Sequence, residues 1–241
     1  MKYQFSIVKT SNIGKNVTIH PFCLIEDDVV IGNNVIIHNG VKIENGVRIG
    51  DNVEIFPNSY LGKEPKSPGS LARELVFKRN ISIGDNCLIG PNSVIYCDVK
   101  IGNNCLIGDG SSIREQVEIG EFSVIGRNTT VNYNTTIGKH VKIMDLCVIT
   151  GNCQIGDNVF ISCLVATTND KKFGKGKDFD IENMIGPIIK DDVIIGAGAN
   201  ILHGTILEKG AIVAAGSIVT RNVEENILVM GSPARKVKNL D

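Results

Sequence analysis

A strict period of six runs through the middle of the chain and limits the folds that it can adopt. From residue 83 to residue 161 every sixth residue is Ile or Val, and the next residue is often Gly. The fifth residue of each hexad is small or β-branched, as at Cys87, Ser93 and Val99. A period of six fits neither the 3.6-residue period of an α-helix nor one long strand. It is typical of a parallel β-helix built from stacked short strands.

The same period covers almost the whole chain. The first run, from Ile7 to Ile55, holds nine hexads, the second holds fourteen, and the third, from Ile189 to Val219, holds six. Three strands make one triangular coil of about 18 residues in such folds, so these hexads predict about ten coils. Parallel strands with short connections bury Ile and Val along one axis. We therefore predict an all-β chain, with a parallel β-helix over residues 1–222 and a short C-terminal tail over 223–241.

Two segments break the period and predict loops that protrude from the β-helix. One lies near residues 62–80 and the other near residues 167–187. Long loops in a regular scaffold are usually functional or disordered. The cations of the first loop leave two readings open, a diphosphate site and an ordinary solvated loop: Lys63, Lys66, Arg73, Lys78 and Arg79.

Composition excludes several classes of partner. The net charge is −1 and no basic block stands out, which argues against nucleic acid because phosphate neutralisation needs clustered Lys and Arg. No apolar run is long enough to span a bilayer, and the first residues lack the apolar core of a signal peptide. We expect a cytoplasmic protein with neither a nucleic-acid nor a membrane partner. The seven cysteines form no C-x-x-C pair and fall mostly on inward positions, which indicates core residues.

Residues that recur every 18 positions form three columns, and one column departs from the pattern. The first keeps the regular Gly-Asx-Asn sequence, as at Gly84. The second ends in Met144 and Leu164, which would suit a subunit interface if exposed. The third carries larger polar side chains: Tyr96, Arg114, Glu115, Asn132, Tyr133, Asn134, Thr150 and Asn152. We interpret this third column as a substrate site, with a polar seam between subunits as the alternative.

Several segments resemble a known family. Ile195-Gly-Ala-Gly-Ala-Asn and the tail Gly231-Ser-Pro-Ala-Arg resemble the C-terminal coils and tail of hexapeptide-repeat acyltransferases, and the resemblance covers nearly the whole chain. Three further segments are similar to N-acetyltransferases that act on 3-amino-3,6-dideoxyhexoses linked to thymidine diphosphate. They are Tyr60-Leu-Gly-Lys-Glu-Pro-Lys, Val131-Asn-Tyr-Asn-Thr-Thr and Phe160-Ile-Ser-Cys-Leu-Val-Ala-Thr-Thr-Asn-Asp. The resemblance implies left-handed coils, a sense that periodicity alone does not give.

The resemblance also implies partners and a cofactor. It implies a homotrimer with active sites between neighbouring subunits, and acetyl-CoA as co-substrate without a metal. Small residues would let the pantetheine approach the backbone, and cations near the C-terminus would meet the CoA phosphates. The residues implied in binding acetyl-CoA are Thr168, Gly196, Ala197, Gly198, Ala215, Ser217, Arg221, Arg235 and Lys236.

The residues of the third column favour an amine as the acyl acceptor. Hydroxyl acceptors usually need a His base, and no His lies in this column between residues 83 and 166. A deprotonated amine is already a good nucleophile, so orientation supplies much of the rate. We predict that Asn134, helped by Glu115 or Asp145, positions the amine and receives or relays its proton. The residues predicted to bind the substrate are Lys63, Arg73, Arg114, Asn132, Tyr133, Asn152, Asn169 and Asp170.

The sequence therefore predicts an acetyl-CoA-dependent N-acetyltransferase for a nucleotide-linked amino-deoxy sugar, with thymidine diphosphate favoured over uridine diphosphate as the carrier. Three alternatives stay open. An O-acetyltransferase would need His140 or another base. A zinc-dependent carbonic anhydrase of this fold would need three His in a fixed pattern, which four scattered His do not supply. A non-catalytic structural β-helix would leave the C-terminal motifs unexplained.

Overall fold

The computed structural model describes residues 5–69, 73–171 and 184–240, and these residues form short strands and turns. The strands, in chain order, are β1 (Ile7–Val8), β2 (Thr18–Ile19), β3 (Leu24–Ile25), β4 (Val30–Ile31), β5 (Ile36–Ile37), β6 (Lys42–Ile43), β7 (Val47–Ile49), β8 (Glu54–Ile55), β9 (Tyr60–Lys63), β10 (Ile81–Ile83), β11 (Leu88–Ile89), β12 (Val94–Tyr96), β13 (Val99–Ile101), β14 (Leu106–Ile107), β15 (Ser112–Ile113), β16 (Glu118–Ile119), β17 (Val124–Ile125), β18 (Thr130–Val131), β19 (Thr136–Ile137), β20 (Lys142–Ile143), β21 (Val148–Ile149), β22 (Gln154–Ile155), β23 (Phe160–Ile161), β24 (Ala166–Thr167), β25 (Ile188–Ile189), β26 (Ile194–Ile195), β27 (Asn200–Ile201), β28 (Ile206–Leu207), β29 (Ile212–Val213), β30 (Ile218–Val219), β31 (Ile227–Met230) and β32 (Arg235–Asn239).

From β2 to β30 every third strand belongs to the same sheet, which confirms the parallel β-helix. Sheet A has 11 strands and begins with β1, sheet B has 9 and begins with β4, and sheet C has 12 and begins with β2. Stacked strands pair in parallel with residues 18 positions apart, such as Ile83 with Ile101. The β-helix has about twelve turns rather than the ten predicted. Hexads beside the breaks, at Leu61, Thr167 and Val229, also form strands and account for one of the additional turns.

The core is a continuous column of aliphatic side chains. The Ile or Val that ends most strands is fully or almost fully buried, as at Ile89, Ile113 and Ile143. The small inward residues between strands hydrogen-bond to the next coil, and the Ser93 hydroxyl donates to the Gly108 carbonyl oxygen at 2.9 Å. Branched side chains and small polar groups thus fill a narrow interior, and among the described residues no buried side-chain nitrogen or oxygen lacks a hydrogen-bond partner. The five inward cysteines follow the same rule and are buried: Cys23, Cys87, Cys105, Cys147 and Cys153.

Three corners connect the sheets, and we name each by the sheets that it joins. The AB corner follows the strands of sheet A and includes residues 114–116 and 132–134. The BC corner follows sheet B and includes residues 120–122. The CA corner follows sheet C and includes residues 144–146. The third column of the sequence pattern therefore forms the AB corner.

Both loops leave the β-helix at the AB corner. The first joins β9 of sheet A to β10 of sheet B, and the second joins β24 of sheet A to β25 of sheet B. In the predicted tail, β31 adds a parallel strand to sheet C and β32 folds back antiparallel on β31. The described residues contain no helix that could cross a membrane. The handedness of the coils stays a prediction from the family resemblance.

Candidate functional site

A buried carboxylate lies at the centre of the AB corner. The Glu115 side chain is fully buried and forms ion pairs with Arg73 of the first loop and with Arg114 beside it. The Arg114 guanidinium also lies 4.6 Å from the centre of the Tyr96 ring. Charged side chains are rarely buried unless paired, so this pairing explains how an acidic residue is buried at a position where the regular BC corner carries Asx.

The ion pairs set the protonation state of Glu115. Burial alone would raise its pKa, but hydrogen bonds from Arg73, from its own backbone N–H and from Arg114 lower the pKa below the ordinary value for Glu. The carboxylate therefore stays ionised at neutral pH and is a weak base. The predicted role of Glu115 in accepting a proton has little support from this geometry, because both of its oxygens already accept hydrogen bonds from cations.

Tyr133 joins the two loops. The Arg73 guanidinium of the first loop lies 3.8 Å from the centre of the Tyr133 ring, in cation–π geometry. At the other end of the ring, the hydroxyl accepts a hydrogen bond from the Asn169 side chain at 3.3 Å and lies 3.8 Å from the Met184 sulfur. The ring covers Gly151, where a Cβ atom would lie 2.6 Å from a ring carbon. Glycine is therefore required at position 151 to make room for Tyr133.

The predicted asparagines occupy two settings at the AB corner. Asn134 is exposed, and its side-chain amide donates to the Asn152 side-chain oxygen at 2.8 Å. The Asn152 amide in turn donates to the Met184 backbone oxygen at 2.5 Å. Asn132 turns back to the scaffold and donates to the Ile149 carbonyl oxygen at 3.1 Å. Both Asn134 and Asn152 have positive φ, near +51° and +63°, a backbone conformation that Asn tolerates better than most residues.

A cavity of about 500 Å³ opens under the first loop at the same corner. Lys63 lies in its wall, with the ammonium 5.0 Å from the centre of the Tyr96 ring. Cys97 is buried beside the cavity, and burial raises the pKa of its thiol to about 12, with the Glu64 carboxylate adding to the shift. The thiol is therefore neutral at physiological pH and is no nucleophile.

Asp145 does not join Asn134 within one chain. It lies on the CA corner, where its carboxylate accepts from the Arg127 guanidinium at 2.6 Å and from the Arg127 backbone N–H at 2.8 Å. These hydrogen bonds lower the pKa of Asp145. Sheet A separates the two corners by roughly 15 Å, the length of about five extended residues. The three residues predicted to be catalytic are therefore split, with Glu115 and Asn134 on one corner and Asp145 on another.

The residues implied in binding pantetheine lie on the CA corner as well. A Cβ atom at Gly196 would lie 2.5 Å from the Ala215 backbone nitrogen, so only Gly allows this spacing of coils. Gly198 has a positive φ of 68° and open space where a Cβ would lie. Ala197 and Ala215 are exposed at this corner, which leaves a surface of small residues two coils from Asp145.

The three cations implied in binding the CoA phosphates meet at the C-terminal end. Arg221, Arg235 and Lys236 line one cavity of about 230 Å³ between the last coil and β32, together with Glu224. Ser217 is buried, and its hydroxyl accepts a hydrogen bond from the Gly231 backbone N–H at 3.2 Å. Ser217 therefore attaches the tail to the last coil, which is a structural contact.

The start of the second loop carries the remaining predicted residues and contacts His203 of the next coil, whose position the sequence pattern did not reveal. The Thr168 hydroxyl accepts a hydrogen bond from the His203 backbone N–H at 2.9 Å, and Asp170 is half-buried. His203 thus lies on the AB corner, one coil beyond Asn169. The 18-residue spacing did not assign His203 to this corner because the second loop adds residues between one coil and the next. The other histidines lie elsewhere: His140 stacks on Phe122 at the BC corner, and His20 stacks on His38 at the CA corner.

Two family models match the chain. The model described as "Bacterial transferase hexapeptide (six repeats)" matches residues 10–45 and 186–221. The model described as "GMPPB C-terminal domain" matches residues 71–173, the part that contains the polar AB corner.

Curated relatives match over short segments. A "2,3,4,5-tetrahydropyridine-2,6-dicarboxylate N-acetyltransferase" of Clostridium perfringens is 50% identical over 54 residues, which are 22% of this chain and 23% of the relative. The protein of the same name from Staphylococcus aureus is 57% identical over 51 residues, 21% of each chain. The matched segment thus spans less than a quarter of the length of these relatives.

Solved structures share the fold. A UDP-N-acetylglucosamine acyltransferase from Campylobacter jejuni superposes with a TM-score of 0.60 at 19% identity, over 92% of this chain and 75% of that one. The Arabidopsis UDP-N-acetylglucosamine acyltransferase gives 0.58 at 18% identity, over 100% and 74%. The chain is therefore a parallel β-helix whose residues 10–45 and 186–221 are similar to the bacterial transferase hexapeptide model and whose fold is similar to that of these acyltransferases.

Proposed function

We propose that the protein is an acetyl-CoA-dependent N-acetyltransferase that acts on the amino group of a nucleotide-linked amino-deoxy sugar. The observation that carries the proposal is the AB corner, where a regular repeat gives way to polar side chains and two loops meet beside an exposed amide, Asn134. The short matches to enzymes named N-acetyltransferases support an amine as the acceptor.

The reaction needs little from the protein beyond orientation. The neutral amine attacks the thioester carbonyl carbon, the C–N bond forms, and the tetrahedral intermediate collapses with loss of the C–S bond. The departing thiolate takes the proton that the ammonium nitrogen releases, so atoms and charge balance. The Asn134 side-chain nitrogen donates to Asn152, which leaves its oxygen to accept a hydrogen bond from the amine. Holding the amine in line with the carbonyl replaces a bimolecular encounter by an oriented one.

In this proposal Glu115 is a positioning residue. It holds Arg73, and Arg73 packs on Tyr133, the neighbour of Asn134 in the chain. The backbone of the second-loop entry, residues 162–168, or of the coil at Gly196 supplies donors to the developing oxyanion. Arg221, Arg235 and Lys236 hold the CoA phosphates as charge-assisted donors.

The separation of the two corners supports the homotrimer that the family resemblance implies. Asn134 lies on the AB corner, whereas Gly196, Ala197 and Asp145 lie on the CA corner. In this arrangement acetyl-CoA bound at the CA corner of one copy faces an amine at the AB corner of a second copy. Exposed apolar side chains at and beside the CA corner support such packing: Leu146, Val148, Phe160 and Leu164. Met144, predicted at the same interface, is half-buried in one chain.

The proposal is tested by thiol release from acetyl-CoA in the presence of nucleotide-linked sugars. Amino sugars on thymidine diphosphate and on uridine diphosphate are compared with the same carriers bearing hydroxyl sugars. We expect release with at least one amino sugar, more from thymidine than from uridine diphosphate, and none with hydroxyl sugars. Absence of release with every amino sugar, with a melting temperature that acetyl-CoA does not shift, would return the protein to the class of structural β-helices.

One observation keeps O-acetyl transfer as the second candidate. His203 lies on the AB corner, one coil beyond Asn169, where an imidazole could serve a hydroxyl acceptor as base. Release with hydroxyl sugars that is lost in His203→Gln would favour this candidate. Release with amino sugars that survives in both His203→Gln and His140→Ala would exclude it.

A further inference from the structure

The cavity under the first loop is built mainly from cations. Its volume is about 500 Å³, within the range of small-molecule sites. Lys63 and Lys66 come from the outgoing part of the loop, Arg79 from the returning part, and Lys42 from the strand below. Cations from three separate segments thus face one space, an arrangement that the chain order alone does not produce.

The cavity keeps a positive charge after its internal pairs are counted. Four cationic side chains line it against two carboxylates, Glu44 and Glu64, which leaves two positive charges in excess. Lys42 pairs with Glu44 at 2.7 Å, and Arg79 pairs with Glu64 at 2.6 Å. Among the described residues, Lys63 and Lys66 have no ion-pair partner. These two ammonium groups are the unpaired donors available to an anion, and Arg79 adds an exposed guanidinium whose Nε is shared with Glu64. A diphosphate carries the charge that matches this set.

The position of the cavity suits one end of an elongated substrate. Cys97 in its lining, Glu115 and Tyr133 occupy successive coils of the AB corner. Coils stack about 4.8 Å apart, so the cavity lies about 10 Å from Asn134 along the corner. Arg73 is already engaged by Glu115 and Tyr133, and it holds the loop that forms the cavity wall.

We propose that this cavity binds the diphosphate of a nucleoside-diphosphate ligand, through Lys63 and Lys66 with Arg79 at the far side. The proposal rests on the proposed function for the identity of the ligand, and it replaces Arg73 by Lys66 and Arg79 as phosphate-binding residues. Each exposed ammonium contributes a charge-assisted hydrogen bond, and the sugar end of the ligand then points along the AB corner toward Asn134.

Calorimetric titration with inorganic pyrophosphate and with thymidine diphosphate tests the cavity independently of acetyl transfer. We expect both to bind the wild type, with binding that weakens as salt increases. Lys66→Gln and Lys63→Gln each weaken both ligands about fivefold. Lys139→Gln, which removes the same charge from an exposed ion pair on the BC corner, leaves both affinities within about twofold and controls for net charge.

The outcomes separate this inference from the proposed function. Pyrophosphate affinity that is the same in wild type, Lys63→Gln and Lys66→Gln, or wild type that binds neither ligand, overturns the cavity as a diphosphate site. Loss of binding in these variants without acetyl transfer to any amino sugar supports the cavity and defeats the proposed function. Where transfer occurs, Lys66→Gln should raise KM for the nucleotide sugar and leave kcat unchanged, whereas a merely structural lysine would change neither.

Discussion

The BC and AB corners belong to the same coils and yet are stabilised in different ways. At the BC corner the backbone N–H of one coil donates to the Asx side chain of the next, as from Asp51 to Asp85 and from Asp85 to Asn103, each at 2.8 Å. Asn16, Asn34, Asn52 and Asn86 form a ladder of side-chain hydrogen bonds along the same edge. At the AB corner, aromatic and charged side chains form a network with two loops instead.

The difference between the two corners shows which positions of the repeat can vary without loss of the coil. A coil needs its inward Ile and a corner residue that tolerates positive φ, and both corners keep these features, as at Asn86 and Asn134. The outward side chains of the corner are not needed for coil closure. Polar groups can therefore accumulate on one corner at little cost to the scaffold, which is why we propose that corner as the substrate site.

Glu115→Ala should have the largest effect on stability and distinguishes the two corners most sharply. It leaves Arg73 and Arg114 partly buried without their partner, and we expect a loss of about 3–5 kcal/mol in the free energy of unfolding by urea titration. The matched control is Glu118→Ala, which breaks an exposed ion pair with Lys100 and should leave the urea midpoint almost unchanged. Equal midpoints for the two variants would show that the AB network does not stabilise the fold.

The pH dependence of stability follows from the lowered pKa of Glu115. A carboxyl whose folded pKa is depressed contributes stability above its unfolded pKa of about 4.3, and this contribution is lost as the pH falls through the folded pKa. The difference in urea midpoint between wild type and Glu115→Gln should be full above about pH 5 and should shrink at lower pH. A difference that is constant between pH 3 and pH 7 would contradict the ion pair.

Asn134→Gly separates the effect of the Asn134 side chain on catalysis from its effect on the backbone conformation. Gly accepts the positive φ, so the variant removes the side chain without backbone strain, and we expect kcat for amine acetylation to fall about a hundredfold. Asn52→Gly is the matched control on the BC corner, with a φ of 55° and the same ladder contact, and should lower stability by a similar amount without lowering kcat. Equal kcat values in the two variants would remove Asn134 from the mechanism.

Gly120→Ala tests the close stacking of the regular corner. A Cβ atom at Gly120 would lie 2.6 Å from the Gly138 carbonyl carbon and oxygen, and backbone atoms yield little. We expect a loss of about 1–3 kcal/mol, read from the urea midpoint. At the same position of the AB corner, Asn132→Ala should cost less, because a side chain is already accommodated there. A larger loss of stability in Asn132→Ala than in Gly120→Ala would contradict the inference that the AB corner tolerates side chains better than the BC corner.

His140→Ala should have the smallest effect. The His140 ring stacks on Phe122 with centroids 5.0 Å apart at the BC corner, and removing it should cost less than about 1 kcal/mol. Acetylation of the amine should be unchanged, since the AB corner is undisturbed. A loss of amine acetylation with a normal melting temperature would assign a catalytic role to His140 at the BC corner.

Much of the scaffold follows from the sequence, and parts of the site do not. The spacing of Ile83 and Ile101 predicts their pairing, and the polar residues from Tyr96 to Asn152 predict an unusual corner. The ion pair of Arg73 with Glu115 joins residues 42 positions apart, and Arg73 lies outside the repeat. The sequence period therefore does not predict this ion pair. The position of His203 was missed for a related reason, because the length of the second loop shifts the register of the coils that follow.

The sequence by itself determined the class of fold, the stacking of the coils and the corner that breaks the pattern. These features repeat every six or 18 residues, so each hexad has the same local geometry and buries the same face. Only the tertiary structure decided that both loops leave at the AB corner and that Asp145 lies on a different corner from Asn134. It also decided that Arg73 pairs with Glu115 and packs on Tyr133. An aperiodic loop is placed by contacts distant in sequence, and such contacts exist only once the coils have stacked.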